Sequence, residues 1–137
     1  ILNQDSETGV ALSVPGNWVI FGIIPGHWAT HQSYPEGKHI GGEALQPGDT
    51  KCDLFLRPPD INVFDFVQQM KSNAAITIVS EGEIVHKSGK QGTRIELECL
   101  GRSLSLITEA NARVVVLTCY GELEPFDEIA VTLSASE

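Results

Sequence analysis

The sequence has few basic residues and no long apolar run, and each shortage excludes a class of partner or protein. It contains 9 lysines and arginines against 18 aspartates and glutamates, a formal charge of −9 over 137 residues. A surface of that sign repels the phosphates of nucleic acid and of anionic lipid, so nucleic acid is not an expected partner. No apolar run approaches the ~20 residues that cross a bilayer, so we expect no integral membrane segment.

Motifs of established chemistry are also missing. The chain lacks the G-x-S-x-G pattern of a nucleophile elbow. Gly41-Gly42 is not followed by the Lys-Ser/Thr of a phosphate-binding loop, and the cysteines lack C-x-x-C spacing. We therefore expect no cofactor, and a binding or accessory domain that is not an enzyme. The alternative is a small hydrolase or metal-dependent enzyme with its site in the loop 22–50.

What is present suits one acidic α+β domain over 1–137. Hydrophobic residues make up 42% of the chain, enough for a core. The first residue is Ile1, which predicts a mature or trimmed form. A removed leader would make the protein extracytoplasmic, either secreted or lipid-anchored, and a cloning decision would also explain the start. We expect a monomer or weak dimer that binds an unknown protein or small molecule.

The first half predicts strands near 10–14, 18–21, 27–33 and 52–56, with a long irregular segment before the last of them. A helix follows over 63–72, where Asn62 can cap the first turn. Its apolar residues recur at helical spacing: Val63, Phe66, Val67 and Met70. We interpret Phe64 and Phe66 as core side chains.

The second half predicts a three-stranded antiparallel meander over 92–99, 103–109 and 112–119. If Gly101-Arg102 and Ala110-Asn111 are two-residue turns, Leu97 faces Leu106 and Leu106 faces Val115. A third turn at Ser88-Gly89 sets Glu83 opposite Arg94. These registers place one set of apolar residues on a common face: Ile95, Leu97, Leu104, Leu106, Val115 and Leu117.

The period then changes to that of a helix near 125–134. Pro125 suits a first turn, and acidic residues surround it where the helix dipole favours negative charge. Phe126, Ile129, Ala130 and Leu133 follow at i, i+3, i+4 and i+7. This helix should lie across one face of the sheet.

The three cysteines leave more than one arrangement open. In the predicted register Cys99 and Cys119 lie on the outer strands of the meander, roughly 10 Å apart, too far for a disulfide. A bond must then use Cys52. Cys52–Cys119 is the favoured pair, three buried thiols carry about the same weight, and Cys52–Cys99 is the remaining choice.

The histidines and aromatics of the irregular segment are the candidate ligand-binding residues. His27 and His31 are four apart, but on a strand this spacing is about 13 Å, too far to grip one ion. His39 could return across the loop, yet we expect no metal site. Trp28 and Tyr34 could line an aromatic pocket. Trp18 is interpreted as core.

The order of these elements resembles a known family. A strand leads into Pro15-Gly16-Asn17-Trp18, a helix and a meander follow, and the last strand ends at Tyr120 before Glu-Pro-Phe-Asp-Glu-Ile at 124–129. This resembles the PsbP-like domains, the family of the photosystem II extrinsic protein. The resemblance implies an α-β-α sandwich around a central antiparallel sheet and an accessory role. It supplies no catalytic residues.

Overall fold

The computed structural model describes residues 1–38, 44–58 and 60–135. Within these residues the chain forms ten strands and two helices. The strands are β1 Leu2–Gln4, β2 Val10–Ser13, β3 Val19–Ile24, β4 Trp28–Gln32, β5 Thr50–Leu56, β6 Thr77–Val85, β7 Gln91–Glu98, β8 Arg102–Ala110, β9 Arg113–Gly121 and β10 Ser134–Ala135. The helices are α1 Val63–Ser72 and α2 Phe126–Ala130. The described residues are mostly in antiparallel strands with few in helices, which fits the predicted α+β class although strands outweigh helices.

The described strands form two antiparallel sheets. A seven-stranded sheet has the order β3-β4-β5-β9-β8-β7-β6, and a three-stranded sheet has the order β1-β2-β10. Strands β5 and β9 are therefore neighbours in the middle of the large sheet, although they lie far apart in sequence. Among the described residues, no helix has the length and apolar character needed to cross a membrane.

The two faces of the large sheet carry separate apolar clusters, because side chains alternate along a strand. We call one the disulfide face: Leu54, Leu106 and Leu117 there join Leu12 of the small sheet and Phe126 of α2. The other is the α1 face. There Val67 of α1 packs with Ile95, Ile107, Val114 and Val116. The large sheet thus has α1 on one side and the small sheet with α2 on the other.

Helix α1 has the predicted bounds. The side chain of Asn62 accepts a hydrogen bond from the amide of Asp65 at 2.8 Å, which caps the first turn. Phe66 packs against the apolar cluster of the α1 face, as expected. The interpretation of Phe64 as a core side chain is wrong, because it is 70% exposed. Phe64 lies outside the apolar stripe that Val63, Phe66 and Val67 share.

The second predicted helix is shorter than its sequence pattern indicated. The helix near 125–134 is confined to Phe126–Ala130, and the chain then pairs β10 with β2. Thr132 Oγ1 donates to the carbonyl of Ile129 at 2.6 Å and accepts from the amide of Ser13 at 2.9 Å. These bonds anchor the helix end to the small sheet. Leu133 is still fully buried, so the apolar spacing identified the core residues but not the length of the helix.

The predicted pairing of β7 with β8 is wrong. Leu97 pairs with Ser103, not Leu106, because Glu98 pairs with Arg102 and residues 99–101 form a three-residue loop. The observed loop is one residue longer than the predicted two-residue turn. A difference of one residue turns the side chains of one strand to the opposite face relative to its partner strand. Ile95 and Leu97 consequently lie on the α1 face, while Leu106 and Leu117 lie on the disulfide face. The common face proposed for these residues does not exist.

The pairing of β8 with β9 keeps the predicted faces although the partners differ. The turn is Asn111-Ala112, both with positive φ, and Ala110 pairs with Arg113. Moving a two-residue turn by one position shifts the partner of each residue by two positions, so Leu106 faces Leu117 instead of Val115. A shift of two residues keeps each side chain on its face, so the apolar residues of β8 and β9 still share one face. At the β6–β7 hairpin, Arg94 pairs with Gly82 instead of Glu83.

A disulfide joins the two central strands. Cys52 and Cys119 are direct partners in the β5–β9 register, and their sulfurs are bonded across a sequence separation of 67. Both side chains are fully buried on the disulfide face. Cys99 is a free, exposed thiol in the β7–β8 loop. Trp18 is buried in the same core, as the sequence indicated.

His31 links the two sheets. It is fully buried, and the side-chain amide of Asn3 in β1 donates to its Nε2 at 3.1 Å. Its Nδ1 then carries the proton and donates to the carbonyl of Cys52 at 3.4 Å. Burial lowers the pKa of His31, against a smaller upward effect of the Cys52 carbonyl and Asp53. The imidazole is therefore a neutral part of the core.

Removing the disulfide should destabilise the domain. We expect Cys52→Ala/Cys119→Ala to lower the free energy of unfolding by about 3 kcal/mol, because the unfolded chain loses a long covalent loop. Urea denaturation measures the difference. Cys99→Ala is the control and should change stability by less than about 0.5 kcal/mol, since its side chain is exposed. A loss of less than about 0.5 kcal/mol in the double variant would contradict the prediction.

Stability should also fall in mild acid. In the unfolded chain His31 takes up a proton near pH 6.5, whereas in the folded protein it is protonated only at a lower pH. The stabilisation is complete above pH 6.5 and declines as the pH falls below it, by at most about 1.4 kcal/mol per pH unit. Burial also lowers the pKa of His86, which adds a contribution of the same sign.

Urea denaturation between pH 7.5 and 5.5 tests this dependence. His31→Gln should give a shallower slope of stability against pH than the unmodified protein. His27→Gln, at an exposed position, is the control and should leave the slope unchanged. Equal slopes for the protein and His31→Gln would contradict a buried, neutral His31.

Candidate functional site

A row of buried polar side chains crosses the centre of the α1 face. Thr30, Asp53, Thr118 and Ser105 are successive cross-strand partners on β4, β5, β9 and β8. Thr30 Oγ1 donates to Asp53 Oδ1 at 2.8 Å, and the hydroxyls of Ser105 and Thr118 are 2.9 Å apart. Burial of polar groups requires such pairing, because an unpaired group is costly away from water. We call these four residues the polar row.

Asp53 of the polar row lines a cavity of about 610 Å3. We call this cavity the Asp53 cleft, because the carboxylate of Asp53 lies in its wall. Three aromatic residues line it, Phe21, Tyr34 and Tyr120, together with Lys51. Lys51 pairs with Tyr120 across β5 and β9, which places the two side chains next to the polar row on the α1 face.

The described parts of the loop 33–49 form the outer wall of the cleft. Gln32 Nε2 donates to the carbonyl of Tyr34 at 3.0 Å, which ties the loop to the end of β4. Lys38 Nζ lies 3.0 Å from Asp49 Oδ2, an ion pair that joins the two ends of the loop. Thr50 Oγ1 donates to the carbonyl of Glu122 at 2.7 Å and fixes the start of β5. Tyr34 is consequently held in place and buried.

The charge of Asp53 acts on both tyrosines. Burial raises the pKa of Tyr34, and Asp49 and Asp53 raise it further. Burial likewise raises the pKa of Tyr120, with further increases from Asp53 and Cys99. Both phenols thus stay protonated at neutral pH and can donate hydrogen bonds. Lys51 Nζ is 3.8 Å from Asp53 Oδ2, an ion pair at the edge of contact distance.

A second, more apolar groove lies beside the cleft on the same face. It has a volume of about 360 Å3 and runs between α1 and the sheet, where Phe66 and Met70 approach Val116. Ser105 and Thr118 of the polar row also line it. Tyr120 lines both cavities and is 39% exposed. The α1 face therefore changes from apolar beneath α1 to polar and aromatic beyond it.

The sequence-predicted ligand residues are only partly brought together. Tyr34 lines the Asp53 cleft, but Trp28 is half-buried and packs against Phe55 with ring centroids 6.4 Å apart. His27 is exposed, His31 is buried on the disulfide face, and His39 lies outside the described residues. Within 1–38, 44–58 and 60–135, no group of three or more His, Cys, Asp or Glu is placed to hold a metal.

Sequence reasoning missed residues of both the cleft and the polar row. The cleft residues are Phe21, Lys51, Asp53 and Tyr120, and the other members of the polar row are Thr30, Ser105 and Thr118. The signal for Asp53 was available. An aspartate in the middle of the apolar strand β5 is costly unless it is paired or bound, so its position marks a candidate site. The cross-strand neighbours could not be identified without the register.

Comparison with known proteins bears on the fold. Neither protein-family models nor curated proteins match the sequence. Among solved structures, the solution structure of cyanobacterial PsbP (CyanoP) from Synechocystis sp. PCC 6803 superimposes with a TM-score of 0.60 at 12% identity, covering 99% of this chain and 92% of that chain. A crystal structure from Bacteroides thetaiotaomicron gives a TM-score of 0.45 at 16% identity, covering 94% of this chain and 46% of that one.

At 12% identity the match to cyanobacterial PsbP shows the fold alone. It agrees with the resemblance found in the order of the sequence elements. The chain has the fold of the PsbP-like domains.

Proposed function

We propose that 1–137 form one PsbP-like domain, an α-β-α sandwich, that acts outside the cytoplasm as a non-enzymatic binding or accessory protein. The Asp53 cleft is the observation that carries this proposal. Its volume of about 610 Å3 lies within the range of small-ligand sites, about 300–1,000 Å3. Three aromatic residues supply contact area, while Asp53 and the two phenols supply polar groups that can orient a ligand.

The arrangement of the polar groups favours binding over catalysis. A hydroxyl nucleophile needs a base within hydrogen-bond reach, most often a histidine. In the polar row Ser105 is paired with Thr118, and Asp53 accepts from Thr30. The buried His31 faces the disulfide side of the sheet, and the buried His86 is bonded there to Thr108 at 2.7 Å.

The disulfide supports the proposed compartment. Cys52 and Cys119 are fully buried and bonded in a central position of the sheet. Structural disulfides persist in oxidising environments and are rare in the cytosol. A secreted or lipid-anchored location explains this bond.

The cleft is tested by ligand mapping on the 15N-labelled protein. Titration with a library of cationic, neutral and anionic aromatic fragments should shift the amide resonances around Tyr34, Asp53 and Tyr120. Tyr120→Ala should weaken each cleft ligand by about 1–2 kcal/mol, because a contacting ring is lost. Phe64→Ala removes an exposed ring on α1 and is the matched control. Fragments that bind only elsewhere, or equal losses in both variants, would count against the cleft.

The compartment is tested by trapping thiols during lysis of the cells that naturally produce the protein. Rapid alkylation under denaturing conditions should label one thiol, Cys99, and prior reduction should raise the number to three, since the chain contains 3 cysteines. Trapping during lysis prevents oxidation by air from creating the bond. Three labelled thiols without reductant would contradict an oxidising location.

A further inference from the structure

The Asp53 carboxylate is placed to receive a further donor. It is 7% exposed and lines a cavity that opens to solvent. Among the described residues, Thr30 donates a hydrogen bond to it at 2.8 Å, while Lys51 Nζ at 3.8 Å is beyond hydrogen-bond distance. A carboxylate has about four acceptor positions, so this group keeps capacity for a donor that enters the cleft.

The surroundings of the carboxylate favour a positive ligand. Phe21, Tyr34 and Tyr120 line the cleft, and aromatic ring faces attract cations. Among the described residues of the lining, Glu36 adds a second acidic side chain, against the ammonium of Lys51. The ammonium of Lys38 lies 6.0 Å from the centroid of the Tyr34 ring and is paired with Asp49. The chain carries a formal charge of −9, which raises the local concentration of cations.

We propose that the Asp53 cleft binds an organic cation, a protonated amine carried on an apolar or aromatic body. The ammonium group bonds to the carboxylate of Asp53, and the body packs among Phe21, Tyr34 and Tyr120. This inference rests on the proposed binding function and names the chemical class of the ligand. Lys51 competes with the ligand for Asp53. Its side chain is 36% exposed, so it can move into solvent when a ligand arrives.

Three probes of similar shape and different charge test the proposal: 2-phenylethylammonium, 2-phenylethanol and 3-phenylpropionate. Titration followed by amide shifts should show the ammonium binding in the cleft at least about tenfold more tightly than the alcohol, because a charge-assisted hydrogen bond is added. The carboxylate probe should bind most weakly, since it meets Asp53 and Glu36.

Two substitutions with opposite expected signs sharpen the test. Asp53→Asn should weaken the ammonium by about tenfold or more and leave the alcohol unchanged. Its amide oxygen can still accept from Thr30, so the fold is preserved. Lys51→Gln should strengthen the ammonium by about threefold, because a competing cation is removed. Glu128→Gln on α2 makes the same change of net charge as Asp53→Asn on the opposite side of the sheet and should have no effect.

Several outcomes would overturn the inference. An unchanged ammonium affinity in Asp53→Asn, with an unaltered circular dichroism spectrum, removes the carboxylate as the ligand group. Preferred binding of 3-phenylpropionate, weakened by Lys51→Gln, assigns the cleft to anions. If the alcohol or the carboxylate probe binds and the ammonium does not, the inference of a cationic ligand is wrong, but the proposed binding function is still supported. If none of the three probes shifts the cleft resonances, the proposed function fails as well.

Discussion

Strands β5 and β9 pair along the centre of the large sheet, and Cys52 and Cys119 bond directly across that pair. The next residues, Asp53 and Thr118, are also partners but point to the α1 face. A slip of one residue would exchange the faces, moving Asp53 into the apolar core and separating the sulfurs. The disulfide on one face therefore fixes the register that builds the polar row on the other. Stability and the candidate site depend on the same pairing.

Helix α1 and most strands of the large sheet could be predicted from the sequence, but the faces of the sheet could not, because loop length decides them. Helix α1 is defined by Asn62 and by an apolar stripe, both of which are local signals. The β7–β8 loop includes Leu100 at φ +56°, a conformation that favours glycine over leucine. Because Gly101 favours a turn, the sequence predicted a two-residue turn at Gly101-Arg102. The observed loop has three residues, 99–101. The additional residue moved Ile95 and Leu97 to the other face.

The candidate site was hidden for the same reason, since its members lie on different strands and meet only through the register. Tyr34 could be identified because it lies in the irregular segment, whereas Asp53 lies inside a strand. A pattern was nevertheless present on β8 and β9. On the α1 face, β8 changes from Ser103 and Ser105 to Ile107, and β9 changes from Val116 to Thr118 and Tyr120. Such a change from apolar to polar side chains within one face of a strand indicates where a packed helix stops covering the sheet.

The size of α1 explains why part of this face stays open. A helix of 10 residues is about 15 Å long and about 10 Å across, whereas seven strands about 4.8 Å apart span roughly 29 Å. The helix therefore leaves the sheet around β4 and β5 uncovered, and there the described parts of the loop 33–49 form one wall of the Asp53 cleft. In that place the carboxylate of Asp53 is already paired, by the hydrogen bond from Thr30 at 2.8 Å and the ion pair with Lys51 at 3.8 Å. These two contacts leave acceptor positions on the carboxylate, and in our proposal those positions serve a cationic ligand.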